Sequence, residues 1–159
     1  MIRGAYFTLL LVGCSTKQSY MDFNSIFPKE GLPPIQVISQ NAVHYDDDRN
    51  RLRELLQGRK WWDLSANYLT SYLKMPLDEV VMTLSPTALA YYLPLFLHPN
   101  FDAHPQRLNV FGSIDYLLFS DTDEPKILSF RRDFFRLLNE NQKYFLSKTI
   151  HGSKKMPGL

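Results

Sequence analysis

The sequence predicts an all-α fold: a compact multi-helix domain around a buried, proline-kinked central helix at about residues 85–97. The stretch SPTALAYYLPLFL at these positions has no polar face, and a helix that is apolar all round is buried. It is too short to span a membrane, which takes ~20 residues. Helical spacing of apolar residues dominates the flanking segments, whereas residues 35–43, a mildly β-like piece, have no convincing partner strand.

Composition and charge exclude several classes of protein. Apolar residues make up 45% of the 159-residue chain and aromatic residues 14%, which is enough for the core of one domain and argues against disorder. The formal net charge is only +2. Basic residues alternate with acidic ones and form no stripe, so no nucleic acid is expected as a partner. A single cysteine rules out an intramolecular disulfide.

The N-terminus has the layout of an export signal. Arg3 provides a short positive region, residues 5–12 are apolar, and the segment ends in Leu11-Val12-Gly13-Cys14. This ending resembles the lipobox of bacterial lipoproteins. The resemblance implies cleavage before Cys14, acylation of that cysteine as a stable membrane anchor, and, because Ser15 rather than Asp follows, an outer-membrane address facing the periplasm. The alternative is an apolar N-terminal helix or strand with a buried cysteine.

The predicted domain organisation follows from this signal. The chain divides into a signal peptide at 1–13, a lipidated tether at 14–34, a single helical domain at 35–152 and a flexible tail at 153–159. The tether contains three serines, three prolines and one glycine, residue types that are common in linkers. Its aromatic residues Phe23 and Phe27 leave docking on the domain open.

Three consecutive aspartates mark the start of the first helix. Asp46, Asp47 and Asp48 precede a run of arginines, an order that suits the helix dipole, and Gly58 is a typical C-terminal stop. The three carboxylates could also form a metal site, but no suitable histidine spacing accompanies them. A dipole-matched helix start is the favoured interpretation.

Two adjacent tryptophans introduce the next helix. Asp63 is the predicted N-cap of a helix that runs to about Lys74. Residues 77–84 then allow either a helical turn or an extended piece. At least one of Trp61 and Trp62 is expected in the core; the alternative is an exposed aromatic pair that grips a sugar or a protein partner.

The central helix carries its own boundary signals. Ser85 is a predicted N-cap, and Pro86 suits the first helical position, where no donor is missed. Pro94, inside the helix, cannot donate a hydrogen bond and should kink it.

A family resemblance accompanies this stretch. The run Trp62-Asp63-Leu64, followed by LSPTALAYYLPLFL, resembles an uncharacterised family of small bacterial helical domains with a tryptophan helix start and a YYLP helix. The resemblance covers residues 61–97, with a weaker echo at 130–150. It implies a fold and carries no activity.

Residues 98–110 are predicted to form a loop, because they combine prolines with polar residues. Within this loop His98, Asp102 and His104 suggest two interpretations. One is a metal site, which requires ligands that converge on rigid geometry. The other, ordinary loop polarity, is favoured because no helical or strand spacing relates the three residues.

A short apolar segment and two helices are predicted to close the domain. A short apolar segment at 112–119 comes first, followed by a helical apolar band over 127–138. Asn139 and Gln142 then supply the two residues of a capping box, which would start a last helix at Glu140.

No catalytic signature is present, since the chain lacks a glycine-rich phosphate loop, GxSxG, HExxH and CxxC. No enzyme activity, cofactor or metal is therefore predicted. Three hypotheses remain: an immunity protein that neutralises an envelope-targeting toxin, an assembly or pilot lipoprotein of an envelope machine, and a cell-envelope hydrolase. The first is favoured, because blocking needs only a complementary surface. The candidate partner-binding residues are Asp46, Asp47, Asp48, His98, Asp102 and His104.

Overall fold

The computed structural model describes residues 23–39 and 47–152. Between 47 and 152 the chain forms seven α-helices: α1 (Asp47–Leu56), α2 (Ala66–Tyr72), α3 (Leu77–Thr83), α4 (Pro86–Leu97), α5 (Arg107–Phe119), α6 (Pro125–Phe135) and α7 (Glu140–His151). Short 3₁₀ helices lie at Trp61–Asp63 and Pro99–Phe101. The described ranges contain one isolated antiparallel bridge, between Ile38 and Leu84, and no longer strand. The predicted all-α class is confirmed.

Helix α4 is the buried centre of the domain, as predicted. Ser85 is its N-cap, since its Oγ accepts from the Ala88 N–H at 3.1 Å, and Pro94 lies inside the helix. Leu89 and Leu93 are completely buried. The helix packs against α6 and the Trp61–Asp63 turn, so its apolar faces are covered from more than one side.

The segment that follows α1 and contains both tryptophans differs from the prediction. Trp61–Asp63 forms a 3₁₀ turn, and Ser65, rather than Asp63, is the N-cap of α2, because its Oγ accepts from the Tyr68 N–H at 3.1 Å. The predicted helix over 63–74 is thus shorter at both ends. Both residues are good N-caps by type, and the turn made by the tryptophans decides between them.

Helices α3 and α5 pack along each other, and α5 starts earlier than predicted. The predicted loop over 98–110 ends at Gln106, whose Oε1 accepts from the Leu77 N–H at 2.7 Å. This side chain therefore satisfies a free donor at the first turn of α3, a position that otherwise lacks a partner within its own helix. The short apolar segment predicted at 112–119 is the second half of α5.

Part of the predicted tether packs against the helical domain. Phe23 and Phe27 are buried, and both rings contact Phe145 of α7 edge-on at 5.7 Å between centroids. Gln142 Nε2 also donates to the Ile26 carbonyl at 3.0 Å. Aromatic burial outweighs the linker-like composition, as the docking alternative allowed.

Other local predictions are confirmed. Asn139 and Gln142 form both bonds of the capping box at the start of α7. Gly58 adopts φ +73° just after α1, a conformation that favours glycine. The signal peptide and the tail at 153–159 lie outside the described residues. Among the residues described, no helix combines the length and the apolar composition that a membrane crossing requires.

Tyr92→Phe is expected to destabilise the domain by about 0.5–1.5 kcal/mol, the net contribution of a typical intramolecular hydrogen bond. The Tyr92 hydroxyl lies at 2.6 Å from the Leu56 carbonyl and 2.8 Å from the Arg59 carbonyl. It thereby bonds carbonyls at and just beyond the C-terminal end of α1. Its burial raises the pKa of the phenol, with a smaller contribution from Tyr91.

Urea denaturation followed by circular dichroism measures this cost. Tyr144→Phe is the matched control, because Tyr144 is exposed on α7 and surface substitutions usually change stability by less than about 0.5 kcal/mol. Equal midpoints for the two variants would show that the Tyr92 hydroxyl does not anchor α1.

Candidate functional site

A cleft beside the two tryptophans is the candidate functional site. Its volume is about 360 Å³, within the ~300–1,000 Å³ of typical ligand sites. It opens between the Trp61–Asp63 turn, the start of α2, the second half of α4 and the loop that follows α4. We call it the tryptophan cleft. Its apolar lining comes mainly from Trp61, Trp62, Leu95 and Phe101, and its polar lining from Lys29, Ser65, Asn67, His98, Asn100 and His104.

The two histidines of the cleft share one local geometry. His98 Nδ1 accepts from the Asn100 N–H at 3.1 Å, and His104 Nδ1 accepts from the Gln106 N–H at 3.1 Å. The pattern His-Pro-x thus occurs twice, with the imidazole bonded to the backbone two residues on. Because Nδ1 is an acceptor, each neutral ring carries its proton on Nε2 and can donate from there.

His98 is held in the neutral form by its surroundings. Its ring meets Phe23 edge-on, with 4.9 Å between centroids. Burial lowers its pKa from the ordinary 6.5, the nearby charge of Lys29 lowers it further, and Asp102 opposes both effects. At neutral pH the His98 side chain is therefore an uncharged Nε2 donor. His104 stacks on Phe101 at 4.9 Å between centroids.

The tryptophans divide their roles between core and surface. Trp61 is buried, while Trp62 is half-buried. Their rings are perpendicular, at 89° and 5.7 Å between centroids. Lys60 Nζ lies 5.4 Å from the Trp62 ring. The expectation that at least one tryptophan is in the core is confirmed, and the other remains available at the surface.

An exposed aromatic surface lies on helix α2. Tyr68 and Tyr72 stack at 6.2 Å between centroids, and the Arg59 guanidinium lies 5.9 Å from the Tyr68 ring. Both tyrosines are exposed, at 39% and 50% of their surface. We call Arg59, Tyr68 and Tyr72 the tyrosine face. Tyrosine and arginine are enriched at the positions that dominate binding energy in protein interfaces.

The structure brings together only some of the candidate residues from the sequence. His98 and His104 line the tryptophan cleft, and Asp102 lies outside it, exposed and 3.6 Å from Arg107. Asp47 and Asp48 occupy the first turn of α1 and do not line the cleft. Asp46 and Cys14 lie outside the described residues.

Several cleft residues were missed in the sequence interpretation. Lys29 belongs to the segment predicted as a tether, and Asn67 and Asn100 carried no recognised motif. The repeated His-Pro-x pattern was the signal available in the sequence for this cleft. In each copy the imidazole accepts a hydrogen bond from the backbone N–H two residues on. Among the described residues, no group of three or more His, Cys, Asp and Glu side chains is placed to hold a metal ion.

No family model, curated protein or solved structure matches the chain. The resemblance of residues 61–97 to small bacterial helical domains therefore stays a prediction.

Proposed function

We propose that this protein is a protein-binding module of the bacterial envelope, anchored by an acylated Cys14 in the outer membrane and facing the periplasm. The anchor is supported by the sequence Leu11-Val12-Gly13-Cys14 after an apolar stretch, with Ser15 next. Two or more acyl chains hold a protein stably at a membrane, whereas one holds it only marginally.

The tyrosine face is the observation that carries the binding proposal. It presents two stacked, exposed tyrosines with an arginine over one ring. Tyr, Trp and Arg are enriched at positions that dominate binding energy, and Trp62 supplies a third aromatic side chain at the edge of the adjacent cleft. A partner that covered about 800 Å² here would make an interface of standard size.

The particular function that we propose is immunity against an envelope-targeting toxin. A toxin that acts in the envelope must be blocked where it arrives, and a lipid anchor keeps the blocking domain in that compartment. Blocking requires a complementary surface and no reaction. The consecutive aspartates Asp46, Asp47 and Asp48, of which the last two lie in the first turn of α1, are a second candidate contact, suited to a basic partner whose approach they would steer.

Deletion of the gene and contact competition with sister cells test this function. We expect the deletion strain to be intoxicated, wild-type protein to restore growth, and Tyr68→Ser/Tyr72→Ser to fail at wild-type protein levels. The matched control is Tyr116→Ser/Tyr144→Ser, which removes two exposed tyrosines from other helices and should restore growth. An Asp46/Asp47/Asp48→Ala variant tests the acidic contact in the same assay.

Two results would overturn the immunity proposal. One is normal growth of the deletion strain in contact with sister cells. The other is restoration by the Tyr68→Ser/Tyr72→Ser variant together with no stable protein recovered on the wild-type domain from the periplasm. Recovery of an envelope-machine component instead of a toxin would identify the protein as an assembly or pilot lipoprotein.

A further inference from the structure

We propose that the tryptophan cleft binds an organic carboxylate with an apolar body. The ligand would be held at its charged end by Lys29 and by the cleft's neutral donors, and at its other end by the tryptophans. This site uses none of the tyrosine-face side chains and shares Trp62 alone with the proposed protein contact. The inference therefore goes beyond the proposed protein-binding function and does not depend on it.

The charges that line the cleft favour an anion. Lys29 is the cation among the described lining residues, and none of these residues is Asp or Glu. A carboxylate placed here would meet an ammonium group without meeting a like charge in the cleft wall. Hydrogen bonds in which the donor or the acceptor is ionised are about twice as strong as those between neutral groups.

Polar side chains of the cleft other than Lys29 add hydrogen-bond donors. His98 and His104 both accept at Nδ1, which leaves Nε2–H as the donor of each ring. The side-chain amides of Asn67 and Asn100 can donate as well. An ionised carboxylate only accepts hydrogen bonds and has about four lone-pair positions for them, so its requirement matches this donor set.

The apolar lining defines the rest of the ligand. Trp61 and Trp62 both line the cleft, and an aromatic ligand gains from edge-to-face or offset-stacked contact with such rings. Leu95 and Phe101 extend the apolar wall. A carboxylate attached to an aromatic or branched group therefore fits better than a compact hydrophilic anion.

Tryptophan fluorescence of the full chain in non-ionic detergent tests the site directly. The chain contains two tryptophans, and both line the cleft, so their emission reports its occupancy. The probes are phenylacetate and phenylacetamide, which share a shape and differ in charge. We expect phenylacetate to bind saturably. Phenylacetamide should bind with an affinity lower by roughly tenfold or more, because one charged hydrogen bond is lost.

The matched variants are Lys29→Met and Lys74→Met. Both lysines are exposed, so both variants should melt like the wild type, and Lys74 does not line the cleft. Lys29→Met should weaken phenylacetate binding roughly tenfold, whereas Lys74→Met should leave it unchanged. Equal affinity for acid and amide, or an unchanged affinity in Lys29→Met, would overturn the proposal.

A further arm distinguishes a free metabolite from the end of a polypeptide. A short peptide that ends in phenylalanine is titrated as the free acid and as the C-terminal amide. Binding of the acid alone, with no binding of phenylacetate, supports a carboxylate site that takes a chain terminus. Failure of both phenylacetate and the peptide acid to bind overturns the proposal, and neither result bears on the toxin competition assay.

Discussion

Leu93→Asp is expected to unfold the domain. Leu93 lies in the middle of α4 with 0% of its surface exposed, and the helix is covered by α6 and the Trp61–Asp63 turn. A carboxylate at this position would lose its hydration, at a cost of several kcal/mol even if it becomes protonated. The lost hydrophobic stabilisation of a buried leucine side chain adds about 1.5–3 kcal/mol, and a domain of this kind has only ~5–15 kcal/mol in total.

Circular dichroism and thermal melting measure this effect. Leu108→Asp is the matched control, because Leu108 lies on α5 with 76% of its surface exposed, so the same change should leave the melting curve close to that of the wild type. A cooperative melt of Leu93→Asp at the wild-type temperature would show that α4 is not the buried centre of the domain.

Cys14→Ser is expected to abolish lipid attachment completely. The thiol is the group that the lipobox resemblance designates for acylation, and the chain has no other cysteine to replace it. Metabolic labelling with a fatty-acid probe should mark the wild type and leave the variant unlabelled.

Ser15→Asp is the control for this experiment. It keeps Cys14 and should keep the label, while the aspartate resembles the signal for inner-membrane retention and should shift the protein between membrane fractions. Equal labelling of wild type and Cys14→Ser would refute the anchor.

The boundaries of elements with local capping signals could be predicted from the sequence alone. Ser85 and Pro86 define the start of α4, because a hydroxyl cap and a residue without an N–H both act within one turn. The capping box of Asn139 and Gln142 does the same for α7. The apolar character of residues 88–97 also predicted that the helix is buried, since no polar face is available to meet water.

Contacts between distant segments decided what the sequence left open or predicted wrongly. The side chain of Gln106 caps α3 from 29 positions away. The loop-like composition of residues 98–110 did not indicate that α5 starts directly after Gln106. Phe23 and Phe27 lie in the core because Phe145 of α7 contacts both rings. The composition of the N-terminal segment does not reveal such a contact.

The candidate site depended on tertiary structure most of all. Lys29, Trp61 and His104 are far apart in the chain, and only the packing of α4 between the N-terminal segment and the tryptophan turn gathers them around one cleft. Composition and spacing reveal which side chains exist and which helix face they occupy. Whether a charge, two donors and two indoles share a cavity is a matter of distance, and distances across the fold are set by the core as a whole.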